Sequence, residues 1–352
     1  MALDDRKKQV LQAIVDDYVT TYEPVGSKSL IERHDFTVSS ATLRNEMAEL
    51  EKLGLLEKPH TSAGRIPSDK GYREYVDSLM RVDDLTESEK KEIEERISES
   101  VDEVTDILKN AADTLSETTG FVSLALSPRL QGSYLMQLKI LMIEPGKALV
   151  VVVLSAGVVK DKVVRIPNFL TNEQLYKISS AVERHVAGKS LDEITYITLA
   201  TSAKEESEIP ESMLNQVLYE AYTAIKQADR LDVYLQGEHR MLSLPDFSEL
   251  SRARDLLGTL SKDGMVAGYV NEIERTARDE GRDDTYMIRI GQEIALEGLD
   301  DCSFITTTYK LGDTISGNIG IIGPKRMDYS KVISQINFVR KKINDNIKRI
   351  YE

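Results

Sequence analysis

The side chains best suited to recognition chemistry lie near the start of the chain, on one face of a predicted helix over about residues 40–52. At about 100° per residue, this face carries two alanines beside an amide, a hydroxyl and two cations. Asparagine and arginine can each make two hydrogen bonds to a base edge, and alanine lets a helix approach the bases closely. The alternative is that alanine is simply a good helix former. The candidates, with the serines that open the helix, are Ser39, Ser40, Ala41, Thr42, Arg44, Asn45, Ala48 and Lys52.

An exposed turn directly after this helix carries a second set of candidate binding residues. A short strand over about residues 55–57 and its return at 65–67 predict a β-hairpin with an exposed tip. Hydroxyls and cations at such a tip suit phosphate oxygens or a minor groove. The candidates in the hairpin are Lys58, His60, Ser62 and Arg65.

Two earlier helices are expected to hold this helix and hairpin in place. Apolar residues recur at helical spacing from Val10 to Thr21, and a short second helix over about residues 27–33 follows a glycine–serine cap. Residues 34–38 then turn the chain into the third helix. Helix, tight turn and helix, followed by a hairpin, is the pattern of a winged helix-turn-helix DNA-binding domain.

The charge balance limits how such a surface could bind nucleic acid. The whole chain has a formal net charge of −14, which argues against indiscriminate binding to nucleic acid. Residues 24–73 contain eight Lys/Arg and seven Asp/Glu, a net charge of +1. Any DNA binding must therefore depend on where the cations lie on the helix and hairpin, since the region as a whole is hardly basic.

The remaining reactive residue types predict neither a catalytic nor a metal site. Cys302 is the single cysteine, which excludes an internal disulfide framework, and the four histidines show no metal-ligand spacing. The glycines at 312, 317, 320 and 323 lack the Lys-Ser/Thr ending of a phosphate loop, so hairpin turns are favoured there. No apolar run approaches the roughly 18 residues of a membrane span, and no signal core opens the chain. We expect a reduced, soluble, cytoplasmic protein that is not an enzyme and holds no cofactor.

A long acidic helix is predicted over about residues 83–117, as a linker between the first domain and the rest. Its apolar residues step by threes and fours from Ile93 to Leu115. Residues 84–106 hold ten acids and three bases, a net charge of −7. A solvated helix face and a linker helix both fit this pattern.

A second amphipathic helix is predicted at about residues 330–350. Residues 325–349 carry eight Lys/Arg against Asp328 and Asp345, a net charge of +6. We expect this helix to lie beside the acidic one, with the apolar stripes supplying most of the stability and the charges the choice of partner. The competing interpretation is that the basic helix contacts DNA phosphates.

The middle of the chain alternates between strand-forming and helix-forming regions. Strand patterns over about residues 121–167 give way to a mainly helical block at about 169–279, and strands return before the terminal helix. Strands, helices and strands again predict an α+β domain interrupted by an insertion. An apolar stripe in the block is expected to form a dimer interface, the alternative being burial inside the same chain. That stripe is Leu214, Val217, Leu218, Ala221 and Ile225.

The run VSSATLRNEMAELEKLGLLEKPHTSAGRIPSDKGYREYVD resembles the heat-inducible transcription repressor family, HrcA. TLRNEM and GRIPSDKGYR are its most specific motifs, and later pieces such as FVSLALSP and GNIGIIGPKRMDY resemble the family more weakly. The resemblance implies an α+β multidomain protein. Its parts would be a winged helix-turn-helix domain (1–82), a linker helix (83–117), a GAF-like α/β core domain (118–168 and 280–352) and an inserted, mainly helical dimerization domain (169–279).

The same resemblance implies a function and its partners. A homodimer would bind an inverted-repeat operator in double-stranded DNA upstream of heat-shock chaperone operons and repress them. Heat would relieve repression by diverting the chaperonin GroEL, which keeps the repressor active. Two alternatives remain open at this point: a winged-helix protein–protein scaffold, and a repressor whose GAF-like domain senses a metabolite.

Overall fold

The computed structural model describes residues 3–60, 63–97, 104–128, 133–155, 158–204, 209–228, 231–279, 286–311 and 315–351. The chain divides into two compact units. The first unit comprises residues 1–127, 233–309 and 318–350, and the second comprises residues 128–232, 310–317 and 351–352. None of the helices in the described ranges is long and apolar enough to cross a membrane.

The regular elements follow the chain in a mixed α/β order. The first are α1 (Asp5–Thr21), α2 (Ser27–Arg33), α3 (Ser40–Lys52), β1 (Leu56–Glu57), β2 (Ile66–Pro67), α4 (Asp69–Glu74), a π-helical turn (Tyr75–Leu79), α5 (Glu87–Ile97) and α6 (Val104–Thr119). Next come β3 (Val122–Leu126), β4 (Leu135–Glu144), β5 (Lys147–Leu154), β6 (Val159–Arg165), α7 (Asn172–Val186), α8 (Tyr196–Lys204) and α9 (Glu211–Ala228). The last are β7 (Val233–Gln236), α10 (Glu238–Met241), α11 (Leu250–Leu260), α12 (Asp263–Asp279), β8 (Met287–Ile290), β9 (Cys302–Leu311), β10 (Ile315–Pro324) and α13 (Tyr329–Tyr351), with 3-10 turns at Pro245–Phe247 and Gly291–Glu293.

The first unit begins with the three predicted helices and the predicted hairpin. Helix α1 packs against α3 and β2, and α2 packs against α3. The apolar stripes of these helices are buried together, with Leu11, Ile14, Leu30, Leu43 and Leu50 fully buried. Packing of this kind fixes the angle at which α3 presents its opposite face to solvent. We call residues 3–79 the head.

The acidic region after the head is a helical hairpin, which corrects the single linker helix predicted over 83–117. Arg96, near the end of α5, forms an ion pair with Glu117, near the end of α6. In one unbroken helix these residues would lie about 30 Å apart. The two helices therefore lie side by side, and residues 98–103 between them lie outside the described ranges.

Helix α5 lies beside the terminal helix α13, which confirms the predicted pairing of the acidic and basic helices. Lys331 pairs with Glu89 at 2.9 Å, and Lys342 pairs with Glu94 at 2.6 Å. Ile93 of α5 is buried on the same side of the helix. Helix α5 also packs against α6.

A five-stranded antiparallel sheet forms the centre of the first unit, with the strand order β7-β3-β10-β9-β8. Helix α6 packs against β3 and β7. Strand β3 pairs with β7 so that Leu126 lies opposite Val233. The chain thus leaves this sheet after β3 and returns to it at the neighbouring strand.

The second unit is a three-stranded antiparallel sheet, β4-β5-β6, covered on one face by helices. Helix α7 packs on β4, and α9 packs on β5 and β6. The stripe of α9 predicted to form a dimer interface lies in this core, since Leu214, Val217, Leu218, Ala221 and Ile225 are at most 2% exposed. That prediction was wrong, because the sheet of the same chain covers the stripe.

The compact units also differ from the predicted domain boundaries. Strands β4 to β6 were predicted to belong to the core domain, but they form their own sheet with α7 to α9. Strand β7 and helices α11 and α12 were predicted within the insertion at 169–279, but they belong to the first unit because β7 pairs with β3. The inserted segment therefore runs over residues 128–232.

Candidate nucleic-acid interface

The serines and the threonine at the start of α3 position the helix. Ser39 is the N-cap, and its Oγ accepts a hydrogen bond from the backbone N–H of Thr42 at 3.2 Å. The hydroxyls of Ser39 and Thr42 also lie 3.0 Å apart. Ser40 Oγ lies 2.9 Å from Ser27 Oγ, which joins the beginning of α3 to the beginning of α2. These contacts satisfy free amides of the helix and fix how it leaves the preceding turn.

The predicted outward face of α3 is open to solvent. Ala41, Arg44, Asn45 and Lys52 are exposed and Ala48 is partly buried. On the opposite side of the helix, leucines 43 and 50 are fully buried. An amide, a guanidinium and an ammonium therefore project from one face, between small side chains that leave room for close approach.

Each acidic side chain of α3 forms an ion pair with a cation of the head. Glu46 and Glu49 both pair with Lys7, at 3.1 and 2.9 Å, and Glu51 pairs with Arg65 at 2.7 Å. Hydrogen bonds to Asp4, and then to Glu49 and Glu46, raise the pKa of Lys7 above its ordinary value. These pairs place a cation beside each acid of α3, with Lys7 shared among Asp4, Glu46 and Glu49.

The two cations of α3 have no such partner. Arg44 and Lys52 make no ion pair or hydrogen bond with any residue in the described part of the chain. The cations of this helix that have no partner among the described residues therefore lie on its exposed side. Clusters of this kind attract phosphate groups even in a protein with a negative net charge.

The hairpin is anchored at its base, and its described residues Lys58 and His60 are open to solvent. Backbone hydrogen bonds join Val25 and Arg65 in both directions, at 2.9 and 2.8 Å. A Cβ atom at Gly64 would overlap the carbonyl oxygen of Val25, so this close approach requires glycine. Ser62 lies outside the described residues.

Arg65 differs from the other candidates because its guanidinium is engaged inside the head. Its side chain is 17% exposed, and both Nε and Nη2 lie within 2.9 Å of Glu51. The contact ties the second strand of the hairpin to the last turn of α3. Arg65 was predicted to contact phosphate, and its pairing with Glu51 gives it a structural task in the head.

Lys28 was missed by the sequence analysis. It is exposed in the first turn of α2 and has no partner among the described residues. The contact between Ser27 and Ser40 places it beside the start of α3. The available signal was a lysine in the first turn of the helix that precedes α3.

The rest of the described chain offers no competing site of obvious chemistry. It contains no group of three or more His, Cys, Asp or Glu side chains placed to hold a metal ion. Cys302 is buried, and burial raises the pKa of its thiol well above the ordinary value. A thiol in that state is a poor nucleophile.

Comparisons with known proteins place the chain among transcription repressors. A family model described as the HrcA protein C-terminal domain matches residues 105–333. The chain is 38% identical to the heat-inducible transcription repressor HrcA of Ruminiclostridium cellulolyticum, over 100% of this chain and 99% of the relative. It is also 38% identical to the HrcA of Acetivibrio thermocellus, over 99% of this chain and 98% of that one. A crystal structure of a hypothetical protein shares the fold, with a TM-score of 0.63 and 21% identity over 99% of this chain and 100% of that one.

Proposed function

The chain belongs to the HrcA family of heat-inducible transcription repressors, and we propose that it represses transcription by binding DNA through a winged helix-turn-helix head. In this proposal α3 enters the major groove, and Arg44 and Asn45 contact base edges there. Lys28, Lys52 and Lys58 contact the phosphate backbone on either side. Ser39, Ser40 and Thr42 hold α3 at its angle to the groove.

One observation carries the proposal: the acids of α3 are paired inside the head and its cations are not. Half of the eight Lys/Arg in residues 24–73 are engaged by other groups of the protein, namely Arg33, Arg65, Lys70 and Arg73. The remaining four lie on α2, α3 and the hairpin, and they are Lys28, Arg44, Lys52 and Lys58. The free cations are thus grouped on the elements that a winged helix presents to DNA.

We further propose that the protein acts as a homodimer that reads an inverted repeat, because two-fold protein symmetry matches two-fold DNA symmetry. The candidate dimer surface is the outer face of the β4-β5-β6 sheet, and the buried stripe of α9 is not available. This face carries exposed apolar side chains, with exposed fractions of 51–59%, at Leu141, Ile143, Val159 and Val163. Apolar side chains grouped on one sheet face mark an interaction surface.

The charges on this sheet face favour a second copy of the chain as the occupant. Lys139 lies opposite Val151, which lies opposite Asp161, so the two charges flank the central strand. A two-fold axis parallel to the strands would bring Lys139 of one copy over Asp161 of the other. Lys139 also pairs with Glu183 at 2.6 Å, but its side chain stays 49% exposed. The surface is therefore complementary to itself, as an isologous dimer contact must be.

The family also supports a proposal for regulation. We infer that the operator lies before heat-shock chaperone genes, that heat relieves repression, and that the chaperonin GroEL keeps the repressor competent. The unit built around the five-stranded sheet is the candidate for the GAF-like domain.

A salt titration of operator binding tests the DNA-binding proposal. The three lysines assigned to phosphates in each head, six per dimer, predict a plot of log K against log salt with a slope of about −5. Alanine variants of the lysines assigned to phosphates should lower this slope. Lys91→Ala on α5 is the matched control and should leave the slope unchanged, because Lys91 lies outside the head and pairs with Glu95. A protein–protein scaffold would bind the inverted repeat no better than a scrambled sequence, and that result would contradict the proposal.

A charged side chain introduced into the sheet face tests the proposed dimer surface. Val163→Lys should give a folded monomer with much weaker operator binding, because the axis brings Val163 of one copy over Leu141 of the other, and each introduced ammonium would be buried there without a counter-charge. Tyr219→Lys is a control at a similarly exposed position, 58% exposed on α9. A Val163→Lys protein that stays dimeric would exclude this face.

A further inference from the structure

Helix α4 joins the head to the rest of the first unit through Arg73. Arg73 Nε and Nη2 donate to the two carboxylate oxygens of Glu293, at 2.9 and 2.5 Å. Nη2 also donates to the carbonyl oxygen of Ile288 at 2.7 Å. A forked contact between a guanidinium and a carboxylate fixes orientation as well as distance, because both groups are planar.

A second contact lies one turn away at Asp69. One carboxylate oxygen accepts the backbone N–H of Gln292 at 3.1 Å, and the other pairs with Lys325 at 2.8 Å. The backbone approaches Asp69 so closely that a Cβ atom at Gly291 would overlap its carboxylate. Gly291 also has a φ of +54°, a conformation that suits glycine. The loop is therefore shaped to receive Asp69.

A third contact lies at the end of α1. The ring of Tyr22 covers the guanidinium of Arg326, with the guanidinium carbon 3.6 Å from the ring centroid. Arg326 is 7% exposed and is held from its other side by Asp246. Tyr22 has a φ of +62°, and it is the single non-glycine residue with positive φ in the described ranges. A strained backbone at this position persists because the surrounding contacts hold it.

These three contacts, which we call the clamp, leave the DNA-binding face free. They involve α4 and the last residue of α1, whereas the outward side chains of α3 stay exposed. Contacts that simply blocked DNA binding would be expected to cover Arg44 or Asn45. The geometry therefore suits a device that aims the head.

We propose that Asp69 and Arg73 are positioning residues, which hold each head in one orientation and so set the separation of operator half-sites that the dimer accepts. This inference rests on the proposed function. Each added base pair moves a half-site by about 3.4 Å and turns it by about 34–36° around the DNA axis. A clamped head cannot follow such a change. A released head can follow it on the chain that connects α4 to α5.

The test uses full-length protein and DNA with two half-sites whose spacer is the natural one or is longer by five base pairs, about half a turn. Wild-type protein should bind the longer spacer about a hundredfold more weakly, because both heads no longer engage together. We call the dissociation constant for the longer spacer divided by that for the natural spacer the spacer ratio. Arg73→Gln and Glu293→Gln should each reduce the spacer ratio to below about tenfold. The affinity of each variant for a single half-site should stay within about twofold of the wild-type value, since α3 is unchanged.

Two features of the design separate positioning from general damage. The double variant Arg73→Gln with Glu293→Gln should match either single variant, because the two residues act through one contact. Arg254→Gln is the matched control, an exposed arginine of α11 that pairs with its neighbour Asp255, and it should keep the wild-type ratio.

Hydrogen exchange reports on the clamp without DNA. The amide of Gln292, which donates to Asp69, should exchange faster in Asp69→Asn and Arg73→Gln than in wild type. A wild-type spacer ratio in both Arg73→Gln and Glu293→Gln would overturn the proposal. Tighter binding of these variants to every DNA, single half-sites included, would also overturn it, since the clamp would then inhibit. Wild-type protein that binds no inverted repeat would refute the proposed function and the spacing claim together, whereas unchanged exchange of Gln292 would refute the clamp alone.

Discussion

Removal of the two ion pairs between α5 and α13 should cost far less stability than removal of Ile93, the buried isoleucine of α5. The double variant Lys331→Ala with Lys342→Ala breaks the pairs with Glu89 and Glu94. The lysine side chains are 51% and 28% exposed, and their partners 29% and 44%. Pairs this exposed contribute about 0.2–1 kcal/mol each, so the double variant should lose about 1 kcal/mol. In a unit of this size that loss lowers Tm by about 2–4 °C.

The isoleucine variant provides the other side of the comparison. Ile93 is 1% exposed, and Ile93→Ala both removes buried apolar area and leaves a cavity. The expected cost is about 2–5 kcal/mol, or about 4–20 °C in Tm. Burial of Ile93, and not the two ion pairs, should therefore supply most of the free energy that holds α5 in the first unit.

Differential scanning calorimetry of the wild-type protein, the double lysine variant and Ile93→Ala measures these losses of Tm. A salt titration of operator binding by the same proteins shows whether the lysines contact DNA. Lys341→Ala is the matched control, because Lys341 is exposed on α13 and has no ion pair among the described residues. The salt slope should be unchanged in every variant. If the double lysine variant kept its Tm but lost about two units of slope per chain, the lysines would be contacting phosphates and the reasoning would fail. A Tm loss equal to that of Ile93→Ala would refute the ranking of charge and apolar burial.

Three further outcomes are expected. Asn45→Ala should cost about 1–3 kcal/mol of operator binding and relax the preference at one base pair; competition with single-base operator variants measures this, and an unchanged preference would exclude base contact by α3. Lys58→Ala should reduce the salt slope by about 0.9 per head, whereas Arg65→Ala should weaken binding without reducing the slope, because its guanidinium is already paired inside the head. Hydrogen bonds from Lys331 and then Thr86 lower the pKa of Glu89 from 4.5 to about 2, so its contribution to stability is present above about pH 4.5 and is lost as the pH falls towards 2. In urea unfolding, Glu89→Gln should therefore cost up to about 1 kcal/mol at pH 7 and less at pH 3, and an equal loss at both values would contradict the assignment.

The elements of the head followed from local sequence signals, because each signal acts within a few residues. The capping serine at 39 and the spacing of Leu43, Met47 and Leu50 define both the start of α3 and its buried side. The exposed face follows from the same periodicity. The internal pairing of Arg65 did not follow, since it depends on Glu51, which comes within reach only when the hairpin folds back.

The errors arose where periodicity identifies a face but not what covers it. The stripe of α9 was correctly located, yet an apolar stripe fits a sheet of the same chain as well as a second subunit. The reversal between α5 and α6 was invisible because residues 98–103 contain neither glycine nor proline and the apolar spacing continues through them. Strand β7 has four residues, too few for alternation to show.

The pairing of Leu126 with Val233 has a consequence for how this architecture could have arisen. Residues 128–232 leave and re-enter the five-stranded sheet at facing positions on adjacent antiparallel strands, which lie only about 5 Å apart. That separation is the one a short hairpin turn spans, so the segment occupies a place where a few residues would complete the sheet equally well. An ancestor with a simple turn there could have gained the whole segment in one genetic insertion without breaking a ladder hydrogen bond. The two parts of the chain could then have diverged at different rates.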